Sequence, residues 1–198
     1  AEPFADPKAR PFFANLLPES DLRRALARKL GLSEQNDFAL LEAVGGECAG
    51  AVSLLPDDMP LPETGSYQIL NDEDLNALVD ELPKRPMLAG EQGIRLSLAG
   101  AQNKLPVHFD GQHISVPIGN VPSSHILKPP IDQYAHTVEN EYFCMRLAQH
   151  VGLSVPSVTL LHKRKNLYLI ERYDRKQVSE KAIERVHQED FCQALGIP

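Results

Sequence analysis

The chain has few cysteines and no pattern that would use them. Cys48, Cys144 and Cys192 are the only three, they lie far apart on apolar runs, and no CxxC occurs. An odd, dispersed set argues against a disulfide framework and predicts reduced, buried thiols in a cytosolic protein. The seven histidines show neither HExxH nor Cys/His ligand spacing, which disfavours a metal site. Ser97 has no GxSxG elbow around it, which disfavours a hydrolase nucleophile. No apolar run approaches membrane-spanning length. The opening residues Ala1-Glu2-Pro3-Phe4 lack the basic stretch and apolar core of a signal peptide, so the expectation is a cytoplasmic protein with no membrane partner. Internal repeats and low-complexity segments are absent. The net charge of −7 argues against the whole chain being a sequence-independent nucleic-acid binder. Two local basic stretches (Arg23, Arg24, Arg28 and Lys29; Lys163 to Lys165) read as solvated helix and turn faces.

What is present is an ordinary globular composition, 42% hydrophobic and 24% charged over 198 residues, enough for one or two domains. Leu22, Leu26 and Leu30 repeat every four residues and predict a helix over Ser20 to Leu30, ended by Gly31. A second helix is expected from Asp37 to Val44 before the Gly45-Gly46 break, then a strand over Ala49 to Leu55. Pro56 to Thr64 reads as a linker. Leu75, Leu78, Val79 and Leu82 predict a helix within Asn71 to Leu82. From Ile94 to Ile126 the pattern turns strand-like, and Asp110-Gly111 between alternating runs marks a hairpin.

The chemistry concentrates in the second half. In Arg95 to Lys104, two apolar-rich runs flank the small residues Ala99-Gly100-Ala101, with Ser97 before them and Lys104 after. Such a segment reads either as a β-turn or as a loop whose backbone approaches an anion closely. His125 to Lys128 reads as a strand ending in lysine and closed by Pro129-Pro130. A helix follows, with Thr137 as the expected N-cap, running to about Val151. Its apolar stripe is Val138, Tyr142, Met145 and Ala148, and Glu141 falls on it. A carboxylate there either pairs with a cation, for which Lys128 is placed, or sits solvated at the stripe's edge. Glu139 and Glu141, two apart, face different ways and do not form a paired acid and base. Val155 to Leu161 and Leu167 to Ile170 predict a hairpin around the basic turn His162 to Asn166. It leads into Glu171-Arg172-Tyr173-Asp174-Arg175.

Small-residue loop, strand lysine, helix glutamate, hairpin and polar connector follow one another as in protein-kinase N-lobes. The usual kinase Gly-rich loop and Val-Ala-Ile-Lys strand are missing, which excludes an ordinary eukaryotic-type kinase. The residues resemble instead the HipA-like serine/threonine kinases, toxins of bacterial toxin–antitoxin pairs. Phe12 to Ser20 is similar to that family's FFxNLLP signature, and Gly50 to Pro56 to the strand closing its first subdomain. Ser97 to Lys104 matches SLAGAQxK. Asn140-Glu141-Tyr142, Glu171 to Arg175, and Gln188 to Gly196 complete the series.

The resemblance implies an α+β fold: a protein-kinase-like N-lobe (antiparallel sheet plus one helix), an extra N-terminal subdomain, and the start of a helical C-lobe. The expected division is 1–60 for the subdomain, 61–90 for linker and helix, 91–172 for the N-lobe, and 173–198 for the hinge and the beginning of the C-lobe. The resemblance assigns Ala99, Gly100, Ala101, Gln102, Asn103 and Lys104 to the ATP-binding loop, Lys128 to the phosphates with Glu141 as its partner, and Glu171, Arg172 and Tyr173 to the adenine-facing hinge. Ser97 matches the serine these kinases phosphorylate on themselves; a dianion there would repel ATP phosphates. The family's DGHxKN-like catalytic loop and later metal-binding aspartate do not occur up to Pro198, so the chain reads as a piece of a longer protein, with neither catalytic residues nor metal ligands of its own and inactive alone. ATP and Mg²⁺ are the implied cofactors. The implied partners are a helix-turn-helix antitoxin of HipB type, operator DNA only through that antitoxin, and a protein substrate such as an aminoacyl-tRNA synthetase. The alternative is a non-catalytic interaction module, or split-toxin subunit, that binds an antitoxin or a kinase partner.

Overall fold

The computed structural model describes residues 5–59, 64–91, 93–179 and 182–197. Its centre is a six-stranded antiparallel sheet in the order β1-β3-β2-β4-β6-β5. The strands are β1 (Gly65–Ile69), β2 (Leu105–Phe109), β3 (Ile114–Gly119), β4 (His125–Lys128), β5 (Val158–His162) and β6 (Asn166–Glu171). Alternation sends Leu105, Val107, Leu127, Leu167 and Leu169 to one face, where all are essentially inaccessible. Helix α4 (Asp72–Glu81) contributes Leu75 and Val79 to this core, and Leu82 joins them. Its N-cap is Asn71, whose Oδ1 accepts from Asp74 N at 2.8 Å. The basic turn between β5 and β6 reaches across to α4, with Lys163 on Asp72 and Arg164 on Asp80.

The β2–β3 hairpin forms as its Asp-Gly pair predicts. Gly111 takes φ +99°, and one Asp110 oxygen accepts from the amides of Gln112 and His113. Those amide donors, His113 first, hold the Asp110 carboxyl far below the ordinary range. Helix α5 (Thr137–His150) packs on β5 and β6. Val138 is buried and Glu141, Tyr142, Met145 and Ala148 are partly so, the stripe expected from the sequence. The N-cap differs: His136 occupies it in a left-handed conformation, while Thr137 Oγ1 accepts from Ile131 N and fastens the preceding loop.

A second apolar cluster lies mostly in the first fifty residues, with Ala89 added from beyond them. Helices α1 (Asp6–Ala14), α2 (Ser20–Leu30) and α3 (Asp37–Val44) enclose Leu16, Leu17, Leu26, Leu40, Leu41, Val44 and Cys48. The strand expected over Ala49 to Leu55 does not form. That segment folds back on the end of α3, with Leu54 N on Gly45 O and Cys48 N on Val52 O, so its backbone has no sheet partner. Four residues of the expected linker, 60–63, lie outside the described residues; just after it, β1 adds to the sheet edge beside β3. The chain beyond β6 holds two strands that the sequence pattern does not mark. A two-stranded hairpin, β7 (Arg175–Ser179) and β8 (Ala182–Arg185), precedes the five-residue helix α6 (Phe191–Leu195). Its base is closed by Val186 N donating to Asp174 O.

The expectation of buried thiols holds for one cysteine. Cys48 is buried, and burial pushes its thiol up to about 12. Cys144 and Cys192 are exposed, because Cys144 lies on the face of α5 turned away from the sheet and α6 buries no side chain.

Candidate functional site

Lys128 ends β4, and the register of β4 with β6 sets it opposite Tyr168. Its Nζ lies 5.5 Å from the centroid of the Tyr168 ring and donates to Glu141 Oε1 at 2.5 Å. The strand lysine and the helix glutamate are therefore a pair. Pro129 and Pro130 stop the strand immediately after Lys128, so the ammonium stands at the sheet's end.

Beside it runs the small-residue loop, closed on itself and docked on the N-terminal subdomain. Lys104 Nζ donates to Ala99 O across the loop. Gly100 sits between them at φ +105°, and a Cβ there would fall 2.6 Å from Lys104 Nζ. The Gly100 carbonyl accepts from Glu19 N, in a parallel bridge with Pro18. Ser97 is fully buried: its amide donates to Glu47 O at 2.9 Å and its hydroxyl to Leu16 O at 2.7 Å. Gln102 reaches Pro129 O, weakly, at 3.4 Å, and the side-chain oxygen of Asn103 has no protein partner.

Burial and the like charge of Lys128 push the Lys104 ammonium down to about 8, although Glu19 and Glu141 pull the other way. Lys104 and Lys128 share this neighbourhood with the carboxylates of Glu19 and Glu141, and Lys128 already holds Glu141. Two ammonium groups stand beside a loop whose Gly100 takes φ +105° and lies close against Lys104, an arrangement that suits a polyanion.

The connector after β6 divides by direction. Arg172 N donates to Ser124 O, and the Arg172 side chain turns inward and is 2% exposed. Glu171 and Tyr173 are exposed, Tyr173 at 75%. Of the three hinge residues named from the sequence, Arg172 has its guanidinium taken by Glu47, Ser123 and Asp174, its amide by Ser124 O, and its carbonyl accepts from Arg175 N at 3.3 Å. Glu47, Ser123 and Tyr168 were not singled out by sequence reasoning. A carboxylate set between Gly46 and Cys48 in an apolar stretch was the one available signal, since such a group needs a buried cation.

A cavity of about 460 Å³ adjoins the loop, bounded by Ala101, Gln102, Asn103, Pro130 and Tyr134. A larger one, about 930 Å³, is lined by Arg10, Phe13, Asp37, Phe38 and Leu54 and shares no residue with the loop. Among the described residues no helix is long and apolar enough to cross a membrane, and no three His, Cys, Asp or Glu stand together to hold a metal.

Comparison with known proteins supplies the context. The HipA-like C-terminal domain model matches residues 96–198 and the HipA N-terminal domain model residues 1–55. The protein Y4mE of Sinorhizobium fredii is 46% identical over all of the chain and 49% of its own length. The serine/threonine-protein kinase toxin HipA of Shewanella oneidensis is 37% identical over 93% of the chain and 42% of its own length. A solved structure of HipA with HipB and operator DNA from Shewanella oneidensis MR-1 superposes with a TM-score of 0.78 at 35% identity, covering 96% of this chain and 44% of that one. The chain thus spans about half or less of the length of these relatives. Its two domain matches, the sequence identity and the shared fold agree, and the chain belongs to the HipA family.

Proposed function

We propose that this chain is the nucleotide-binding half of a HipA-type kinase that transfers the γ-phosphoryl group of ATP to serine or threonine of a protein. The observation that carries the reading is the Lys128–Glu141 pair at 2.5 Å beside the loop that Lys104 closes. In this reading residues 99–104 lie over the phosphates, Lys128 is held on them by Glu141, and the backbone of 171–173 meets the base. Lys104 gives up its bond to Ala99 O for a phosphate oxygen, which relieves its repulsion by Lys128. Magnesium, when bound, would neutralise phosphate charge, with ligands expected from sequence beyond Pro198.

Ser97 is the proposed self-phosphorylation site, and its surroundings give the modification a consequence. The hydroxyl donates to Leu16 O with no access to solvent. A phosphate there cannot donate to that carbonyl or remain buried unpaired, so the loop would have to leave its seat on 16–19. A HipB-like helix-turn-helix antitoxin is the proposed partner, operator DNA being reached only through it, and an aminoacyl-tRNA synthetase is the proposed substrate. The relative whose solved structure holds HipA, HipB and operator DNA supports the first of these.

The test is the intact mass of the full-length protein after incubation with ATP and Mg²⁺, alongside Ser97→Ala and Lys128→Ala. One added phosphate, lost in both variants while Ser97→Ala still binds ATP, is the expected outcome. Folded, unphosphorylated protein that neither binds ATP nor gains mass would replace this reading with the non-catalytic antitoxin-binding module.

A further inference from the structure

Beneath the connector lies a group of buried charges that no nucleotide contact explains. Glu47, Arg172, Asp174 and Arg175 are all 9% exposed or less. One oxygen of Glu47, Oε1, accepts from Ser123 N at 2.9 Å, Ser123 Oγ at 2.5 Å, Arg175 Nη2 at 3.1 Å and Arg172 Nη1 at 3.3 Å. Its other oxygen lies 3.8 Å from Arg185 of β8. Arg172 forks onto Asp174 at 2.9 and 2.6 Å, and its Nη2 also donates to Cys48 O. Asp174 accepts from Gly50 N at 2.7 Å, and Arg175 donates to Gly50 O at 2.9 Å. Burial alone would raise the Asp174 carboxyl, but the Arg172 hydrogen bond and the two guanidinium charges outweigh it and leave it below the ordinary range.

Such a cluster is a poor way to gain stability, since apolar side chains of similar volume usually do as well or better. It does fix geometry, because forked guanidinium–carboxylate bonds tolerate little displacement. The main chain of Glu47 faces the other way. Its amide donates to Arg95 O at 2.8 Å and its carbonyl accepts from Ser97 N at 2.9 Å. One residue therefore grips the hinge by its side chain and the base of the small-residue loop by its backbone.

We infer that Glu47 is a positioning residue for nucleotide binding, which sets the spacing between the hinge at 171–173 and the loop at 97–104. Arg172 and Arg175 serve this lock and not the nucleotide. The inference rests on the proposed kinase reading. A ligand that touches both ends gains from the second contact only if the two are correctly spaced, whereas a ligand touching one end is indifferent to spacing.

The experiment compares ATP with adenosine, which reaches only the base end, on the full-length protein. Glu47→Gln, Glu47→Asp and Ser123→Ala are measured beside Leu26→Ala, which opens a hole in the N-terminal core outside the cluster. In Glu47→Gln the affinity for ATP should fall on the order of tenfold to a hundredfold, while adenosine affinity per folded molecule changes less than about twofold. Glu47→Asp and Ser123→Ala should shift the ATP-to-adenosine ratio in the same direction by less, and they carry the test if Glu47→Gln does not fold. Leu26→Ala should lower the melting temperature with the ratio unchanged. Equal loss of both ligands, or a Leu26→Ala variant that reproduces the effect, would overturn the lock and leave the kinase reading standing. Folded wild-type protein that binds neither ligand would overturn both.

Discussion

A lysine in water titrates near 10.5, and in this fold Lys104 is brought to about 8 by burial and by Lys128. The shift is a cost that the folded chain carries only while Lys104 is charged. Between about pH 8 and pH 10.5 the unfolded chain binds the proton and the folded one does not, so stability from this group rises with pH across that window. A phosphate set against the ammonium would return it toward its ordinary value, and nucleotide binding would then draw in protons. About nine-tenths of free molecules carry this proton at pH 7, about half at pH 8 and about one-tenth at pH 9. Full restoration gives an uptake of about 0.1 proton per ATP at pH 7, about 0.5 at pH 8 and about 0.9 at pH 9. Calorimetric titration of a non-hydrolysable ATP analogue, in buffers of differing ionisation enthalpy, measures this directly. Lys104→Arg keeps the positive charge but does not titrate in this range, so its profile isolates the nucleotide's own protonation. An uptake that stays flat from pH 7 to pH 9, or that is the same in Lys104→Arg, would refute the assignment of Lys104 to the phosphates.

Two further outcomes follow from packing. Gly100→Ala places a Cβ 2.6 Å from Lys104 Nζ at φ +105°, so it should cost about 1–3 kcal/mol in a urea melt and weaken ATP binding well beyond that of the Lys104→Arg variant. An Ala variant with wild-type ATP affinity would mean that the close approach at Gly100 has no bearing on the ligand. Leu127, fully buried between Leu105 and Leu169, should lose about 2–5 kcal/mol on replacement by alanine. A loss under about 1 kcal/mol would show that the sheet's inner face relaxes around the cavity.

The parts legible in the sequence are those whose determinants are local. The stripe Val138, Tyr142, Met145 and Ala148 turned α5 toward the sheet, and with it Glu141 toward Lys128. Asp110-Gly111 marked its hairpin because the turn is set by two adjacent residues. Strand β1 escaped notice because Gly65–Ile69 is a mostly exposed edge strand, without an apolar alternation of its own, and exists through its pairing with β3. The β7–β8 hairpin was missed for a related reason: Arg175 and Arg185 at its base meet Glu47, more than a hundred residues before either. Arg172 gave the sharpest difference. A motif marks the residue, but only the fold reveals that its guanidinium lies against Glu47, Ser123 and Asp174.

The bond from Ser97 to Leu16 O joins residues 81 positions apart and has a bearing on the order of synthesis. The seat at 16–19 belongs to the N-terminal cluster, which draws on residues 16–48 and on Ala89. Nearly all of that cluster leaves the ribosome before Ser97 is made, and domains emerging first generally fold first. The loop therefore follows most of its own seat in the order of synthesis. The carbonyl of Leu16 belongs to that earlier part, whereas Glu47 is held by Ser123, Arg172 and Arg175, which follow the loop in the chain, so the loop's second anchor is set only after they are made.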